Sequence, residues 1–170
     1  MTDYKARFCF QGNHRRLGID HSHAEIYTST LRLSTLRASL AQFIQYKPEP
    51  GLEMGVELWD ISQAFLIGVL NKYTAMRSPQ GVKGLEGKGL ELLSPLYGMA
   101  EAHQYYDSWL RKILDDMGFK PTADPKYFIK WKGKEFFKLP LYVDDMSVQW
   151  RGRKLRDWVL KTLQSYGIKN

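Results

Sequence analysis

The stretch Leu139-Pro-Leu-Tyr-Val-Asp-Asp-Met-Ser-Val-Gln-Trp150 decides the fold. Two apolar arms, Phe136 to Val143 and Met146 to Trp150, flank Asp144-Asp145, a pattern that reads as a β-hairpin. Pro140 has no N–H to give to a ladder, so it marks an edge or an irregular start. Adjacent carboxylates repel, and neither acid has a cation beside it in sequence, so the pair carries an electrostatic cost. Two explanations stand open: hairpin turns use Asp for its backbone preferences, and clustered carboxylates serve as hard oxygen ligands. A third acid shifts the balance. Asp60 closes an apolar strand, Met54 to Asp60, and precedes a helix-like run, so it too falls at a strand end. Three such carboxylates can hold two Mg²⁺ ions.

Outward from the hairpin, helices and strands alternate. Leu33, Leu36, Leu40 and Phe43 recur at spacings of three and four, with Ser34 as an N-cap and Pro48 as a stop, which predicts a helix over Thr35 to Tyr46. Tyr106, Trp109, Leu110, Ile113, Leu114 and Met117 predict a second, ending at Gly118, and Leu155, Trp158, Val159, Leu163 and Tyr166 a third, ending at Gly167. A further strand is expected over Lys126 to Lys132. Lys47 to Gly55 and Ser78 to Gly89 read as loops. Helices mixed with an antiparallel hairpin give the class α+β, with a split βαβ plan as the nearest named motif.

Composition bounds the rest. At 170 residues, 44% hydrophobic and 25% charged, the chain is expected to form one compact globular domain. No apolar run approaches the roughly 20 residues a bilayer crossing needs, and the N-terminus has no apolar signal region. A single cysteine, Cys9, forms no internal disulfide; within Phe8-Cys-Phe10 it reads as a packing residue, and an intracellular setting in cytoplasm or nucleus is expected. Lys and Arg number 25 against 18 Asp and Glu, a formal +7 that favours polyanionic partners. The excess over residues 101–170 is +5, from 14 basic and 9 acidic residues. There Lys126, Lys130, Lys132, Lys134 and Lys138 alternate with aromatic residues, which suits phosphates with stacked bases but equally a solvated strand face opposite a core face. His21 and His23 lack further ligands at metal spacing and read as loop residues.

These residues together resemble the reverse transcriptases of copia-type long-terminal-repeat retrotransposons. Tyr4-Lys-Ala-Arg-Phe resembles the family's fingers motif, Gly18-Ile-Asp with Glu25-Ile-Tyr and Arg32-Leu-Ser-Thr-Leu-Arg37 its next block, and Trp59-Asp-Ile-Ser-Gln-Ala-Phe-Leu-Ile-Gly68 its first catalytic motif. Met76-Arg-Ser-Pro-Gln-Gly81, Leu96-Tyr-Gly98, Met117-Gly-Phe-Lys120, Ala123-Asp-Pro125 and Leu141-Tyr-Val-Asp-Asp-Met146 follow in the family's order. The family's Lys and Pro-Arg after Leu-Tyr-Gly are replaced by Met99-Ala-Glu-Ala-His-Gln-Tyr-Tyr106, and its acid after the first catalytic motif is Val69.

The resemblance implies a partial right-hand polymerase: a fingers fragment over 1–50 and a ferredoxin-like palm with an Asp-Asp hairpin over 51–170, without thumb or RNase H domain. It implies two Mg²⁺ ions on Asp60, Asp144 and the main-chain carbonyl of Ile61, with Asp145 as a further ligand. Lys5 and Arg7 would meet the triphosphate, Phe65 would exclude a ribose 2′-hydroxyl, and Tyr97 and Gly98 would shape the nucleotide pocket. Lys130, Lys132 and Lys134 would contact nucleic acid. The implied partners are an RNA template, a DNA primer, deoxynucleoside triphosphates and the remainder of a polyprotein, with no membrane. The implied function is RNA-directed DNA polymerisation; the alternative is a catalytically silent nucleic-acid-binding remnant.

Overall fold

A computed structural model describes residues 9–14, 16, 18–19 and 27–166. Lys5, Arg7, His21 and His23 lie outside the described residues. The chain divides into two compact units, one of residues 1–28 and 65–110, the other of residues 29–64 and 111–170.

The second unit is α+β. Its five-stranded sheet uses β1 (Met54–Asp60), β4 (Lys120–Pro121), β5 (Tyr127–Lys132), β6 (Glu135–Tyr142) and β7 (Asp145–Arg151) in the order β1-β7-β6-β5-β4, every neighbouring pair antiparallel. Helix α1 (Leu33–Ile44) lies against one face, where Phe43 meets Phe136 edge to face, and α3 (Arg153–Ser165) against the other. Helix α2 (Ala102–Asp116) runs from the first unit into the second. Gly118 ends it in a left-handed turn at φ 77°, with the Phe119 N–H on the Leu114 carbonyl, a conformation that glycine adopts without the Cβ penalty.

Parity across the hairpins decides which side chains share a face. Phe136 pairs with Trp131 and with Arg151, so even residues of β6 share a face with odd residues of β5 and β7. The lysines that alternate in sequence are therefore dealt to both sides of the sheet. Lys130 and Lys132 stand on the α3 face, Lys138 is buried under α1, and Lys126 is also buried, so no single solvated lysine face exists.

Several expectations are corrected. Pro140 sits in β6, the central strand, not at an edge; the register with β7 runs from Phe136↔Arg151 to Lys138↔Gln149, skips Leu139 and Pro140, and resumes at Leu141↔Met146, which accommodates the missing N–H. The hairpin turn is Val143-Asp144 rather than Asp144-Asp145, because Tyr142 pairs with Asp145 and draws the second acid into β7. The N-cap of α1 is Arg32, not Ser34; the remote Asp124 carboxylate takes the Arg32 N–H (3.1 Å) and the Thr35 hydroxyl (2.8 Å). Burial raises the Asp124 carboxyl, but these donors and the Lys126 N–H outweigh it and hold the group below its usual range. After Asp60 the chain makes only a short 3₁₀ turn, Ala64–Ile67.

The first unit carries a small hairpin, β2 (Ala75–Arg77) with β3 (Gly89–Glu91), whose connection is the Gly-rich loop expected from sequence. Cys9 is exposed, not buried: its neighbour Phe10 is held instead, its N–H on the Tyr97 carbonyl at 2.6 Å. Among the described residues no helix is long and apolar enough to cross a membrane.

Beneath α1 lies a polar layer. Ser39 donates to Gln149 at 2.8 Å and accepts from the Tyr127 hydroxyl at 2.6 Å. Lys138 donates to Gln42 at 2.6 Å, with its ammonium 4.8 Å from the Tyr46 ring and 5.3 Å from Phe136; the Arg151 guanidinium lies over the same two rings. Burial pushes Lys138 down to about 8. Its folded-state value lies below its unfolded value of 10.5, so the folded state carries a charge-burial cost in full below pH 8 and sheds it as pH rises toward 10.5. Lys138→Met should therefore raise the free energy of unfolding at pH 7 by about 1–3 kcal/mol. Urea denaturation at pH 7 and 9.5 checks this: the gain should shrink at the higher pH, and a pH-independent difference would contradict it.

Candidate active site at the β1–β7 sheet end

Strand β1 is short and amphipathic, and its register on β7 is fixed by two side-chain devices. Gly55 stands opposite Trp150, whose ring would come within 2.7 Å of any Cβ there, so only glycine lets the indole lie flat on the strand. The indole N–H groups of Trp150 and Trp59 donate to the two Glu57 carboxylate oxygens at 2.8 Å each. Arg156 of α3 grips the same oxygens at 3.0 and 2.6 Å, a two-point contact that holds the Glu57 carboxyl below its ordinary value.

That register sets the acids. Asp60 is directly opposite Asp145, and the next backbone contact is the Ile61 N–H on the Asp144 carbonyl at 3.1 Å. Because Ile61 and Asp144 make the hydrogen-bonded pair, Asp60 and Asp145 form the alternate, closer pair, with Cα atoms ~4.5 Å apart and side chains on one face. Like charges directly opposite destabilise a sheet. Both side chains are exposed, and among the described residues none of the three acids is ion-paired. The Ile61 carbonyl accepts the Ala64 N–H at 3.2 Å, which leaves its second lone pair. Three acids separated by 84 residues in sequence are thus joined through their main chains; their side chains do not form a close group of three metal-ligating residues, and none exists among the described residues.

The turn between β6 and β7 is strained. Val143 takes φ 58°, a left-handed backbone that a β-branched residue rarely adopts. Sequence reading placed Val143 inside a strand and missed it; the signal available was a β-branched residue directly before an Asp pair. Beside the turn, Leu31, Leu33, Leu36, Leu58, Tyr142 and Asp145 line an apolar groove of about 590 Å³ on the α1 face.

The other candidate residues divide between the two units. In the first unit, Phe65 is half-buried in an aromatic cluster, 5.8 Å from the Tyr97 ring, 5.9 Å from His103 and 6.3 Å from Tyr106. Gly98 has φ 88° and packs against the Phe10 carbonyl so closely that a Cβ has no space. In the second unit, Lys130 donates to the Met117 carbonyl at 2.7 Å and covers Trp158, Lys132 is exposed, and Lys134 is ion-paired with Glu49 at 3.0 Å. Glu101 is buried and ion-paired with Lys72 at 3.3 Å.

Comparison with known proteins bears on the family of the chain as a whole. The family model for reverse transcriptase (RNA-dependent DNA polymerase) matches residues 1–166. The chain belongs to that family. It is also similar to the Retrovirus-related Pol polyprotein from transposon TNT 1-94 of Nicotiana tabacum, 30% identical over 152 residues. That match covers 87% of this chain and 11% of the polyprotein, so the chain spans about a ninth of its relative's length. No solved structure matches it. For this reverse-transcriptase-family chain, the strained Val143 belongs to the same hairpin as the acids.

Strain at Val143 has a measurable sign. A left-handed conformation costs a non-glycine residue about 1–2 kcal/mol, whereas glycine's extra chain entropy costs about 0.5–1 kcal/mol relative to alanine. Val143→Gly should therefore be more stable than Val143→Ala, the reverse of the usual strand order. Chemical denaturation of the two variants checks it, and an alanine variant more stable than the glycine one would remove the strain.

Proposed function

We propose that this chain carries the polymerase centre of a copia-type retrotransposon reverse transcriptase, adding deoxynucleotides to a DNA primer on an RNA template. The observation that supports it is the facing pair Asp60 and Asp145, tied to Asp144 through the Ile61 N–H. A sheet end that sets like charges opposite each other without an ion-pair partner sacrifices stability, and a divalent cation would relieve that cost. The donor chemistry fits Mg²⁺: carboxylates and a main-chain carbonyl are hard oxygens, and the exposed Asp60 and Asp145 side chains have solvent into which to turn. When bound, two Mg²⁺ ions supply charge neutralisation for an in-line displacement at phosphorus.

In this reading Asp60 and Asp144 are the principal ligands, the Ile61 carbonyl contributes a further oxygen, and Asp145 adds charge. The primer 3′-hydroxyl gives up its proton to solvent, its oxygen bonds to the α-phosphorus as the bond from that phosphorus to the α–β bridging oxygen breaks, and pyrophosphate leaves with the bridging oxygen. Phe65 excludes a 2′-hydroxyl by its ring volume, Tyr97 and Gly98 shape the nucleotide site, and Lys5 and Arg7 bind the triphosphate. Residues 1–50 act as fingers and 51–170 as palm. Lys132 and the neighbouring Lys130 meet nucleic-acid phosphate; Lys134 does so only when released from Glu49.

A second reading, nucleic-acid binding without catalysis, is favoured by the lack of a close three-carboxylate group among the described residues. Primer extension on an RNA template separates the two. With Mg²⁺ the wild type should extend, and Asp60→Asn or Asp144→Asn should lower the rate about a hundredfold or more, since metal-borne charge stabilisation contributes several kcal/mol. Extension by either variant at the wild-type rate would overturn the catalytic roles. A wild type that binds hybrid but never extends would establish the second reading.

A further inference from the structure

On the α3 face, Met117, Lys130, Lys132, Lys154, Leu155 and Trp158 enclose a pocket of about 320 Å³. It is remote from the acids. Lys130 pairs with Phe137, and Phe137 with Trp150, so the pocket begins five residues along β7 from Asp145, ~16 Å at ~3.3 Å per residue. It also opens on the opposite face: Asp60 and Asp145 share the α1 side, while Lys130 and Lys132 share the α3 side.

The pocket's chemistry is specific. Three lysines line it, and Lys132 and Lys154 are exposed. Trp158 is 43% exposed, although the second turn of an amphipathic helix offers core positions for such a ring. Lys130 lies 5.2 Å from the Trp158 ring centroid, fixed by its bond to the Met117 carbonyl, which uses one of its three donors. Nearby acids are mostly engaged: Asp157 with Arg156, Asp115 with Lys120, and Glu53 with Arg153. Glu135 stands opposite Lys132 and packs against Gly152, and the exposed Asp116 directly precedes Met117. The site therefore offers excess positive charge beside an open aromatic ring in a concavity.

We propose that this pocket binds one unpaired nucleotide of a single-stranded nucleic acid, with the phosphate on Lys132 and Lys154 and the base stacked on Trp158. An acidic peptide would satisfy the lysines but leave the indole unused, whereas a nucleotide presents a phosphate and a flat base at one residue's spacing. The inference rests on the pocket and not on the polymerase reading, and it requires no divalent ion.

The test is fluorescence anisotropy of a short labelled oligouridylate with the whole chain, in EDTA, across a salt series. Wild type should bind with a salt-dependent affinity, and Lys132→Ala/Lys154→Ala should reduce the slope of log K against log salt by ~1.4, since each phosphate contact contributes ~0.7 on a single strand. Trp158→Leu should weaken binding about 5- to 100-fold without changing the slope, Trp158→Phe should restore most of it, and duplex RNA should be indifferent to either Trp158 change. An unchanged slope in the lysine variant would overturn the proposal. So would equal losses for duplex and single strand in Trp158→Leu, or free uridine monophosphate binding as tightly as the oligomer.

Discussion

Everything proposed for the active site depends on the register of β1 against β7. The two strands are joined by nothing short in sequence, so their alignment is set by side chains. Gly55 admits the Trp150 ring and fixes the pairing at one end. Glu57, held by two indoles and one guanidinium, fixes it in the middle and ties α3 to both strands. A slip of one residue would turn Asp60 to the other face and bring Glu57 out from under Arg156. The clamp is internal to the sheet, so the strand ends can tolerate an unfavourable contact. That contact is the facing pair of carboxylates.

Two energetic costs coincide at that end. Asp60 and Asp145 face each other without an ion-pair partner among the described residues, and Val143 holds a left-handed backbone one turn position away. Local strain and like-charge repulsion at one site are the pattern expected where binding of a cation or substrate, not folding, selected the residues. The basic pocket on the other face is different in kind. Its lysines and indole are compatible with a stable fold, and only their convergence distinguishes them from an ordinary solvated helix and strand.

Much of this was legible in the sequence. Strand β1 begins and ends where the alternation of Met54 to Asp60 places it, and α2 stops at the glycine that its periodicity predicts, because both are governed by local rules. What the sequence hid was parity. The lysines from Lys126 to Lys138 look like one stripe on paper, but a two-residue turn at Gly133-Lys134 exchanges the faces of even and odd positions, and Lys138 ends beneath α1. Pro140 misled for a related reason: a central strand tolerates it where the ladder already skips two pairs. The cap on α1 was invisible since Asp124 lies 92 residues from the N–H it accepts. Trp158 carried a correct helical period, yet its partner Lys130 comes from a strand that only the tertiary fold brings beside it.

The central claim, that Asp60 and Asp145 face each other across β1 and β7, can be tested without assuming any activity. In a Cys9→Ser background, Asp60→Cys/Asp145→Cys should oxidise to an intramolecular disulfide, because a facing, non-hydrogen-bonded pair brings the Cα atoms to ~4.5 Å, within the span a disulfide bridges. Leu58→Cys/Ser147→Cys, two residues along the same register, should do likewise, while Leu58→Cys/Asp145→Cys should not. Peptide mapping under non-reducing conditions reads the result. Bridging of the Leu58→Cys/Asp145→Cys variant with none in Asp60→Cys/Asp145→Cys would show a shifted register and would contradict the account of the site.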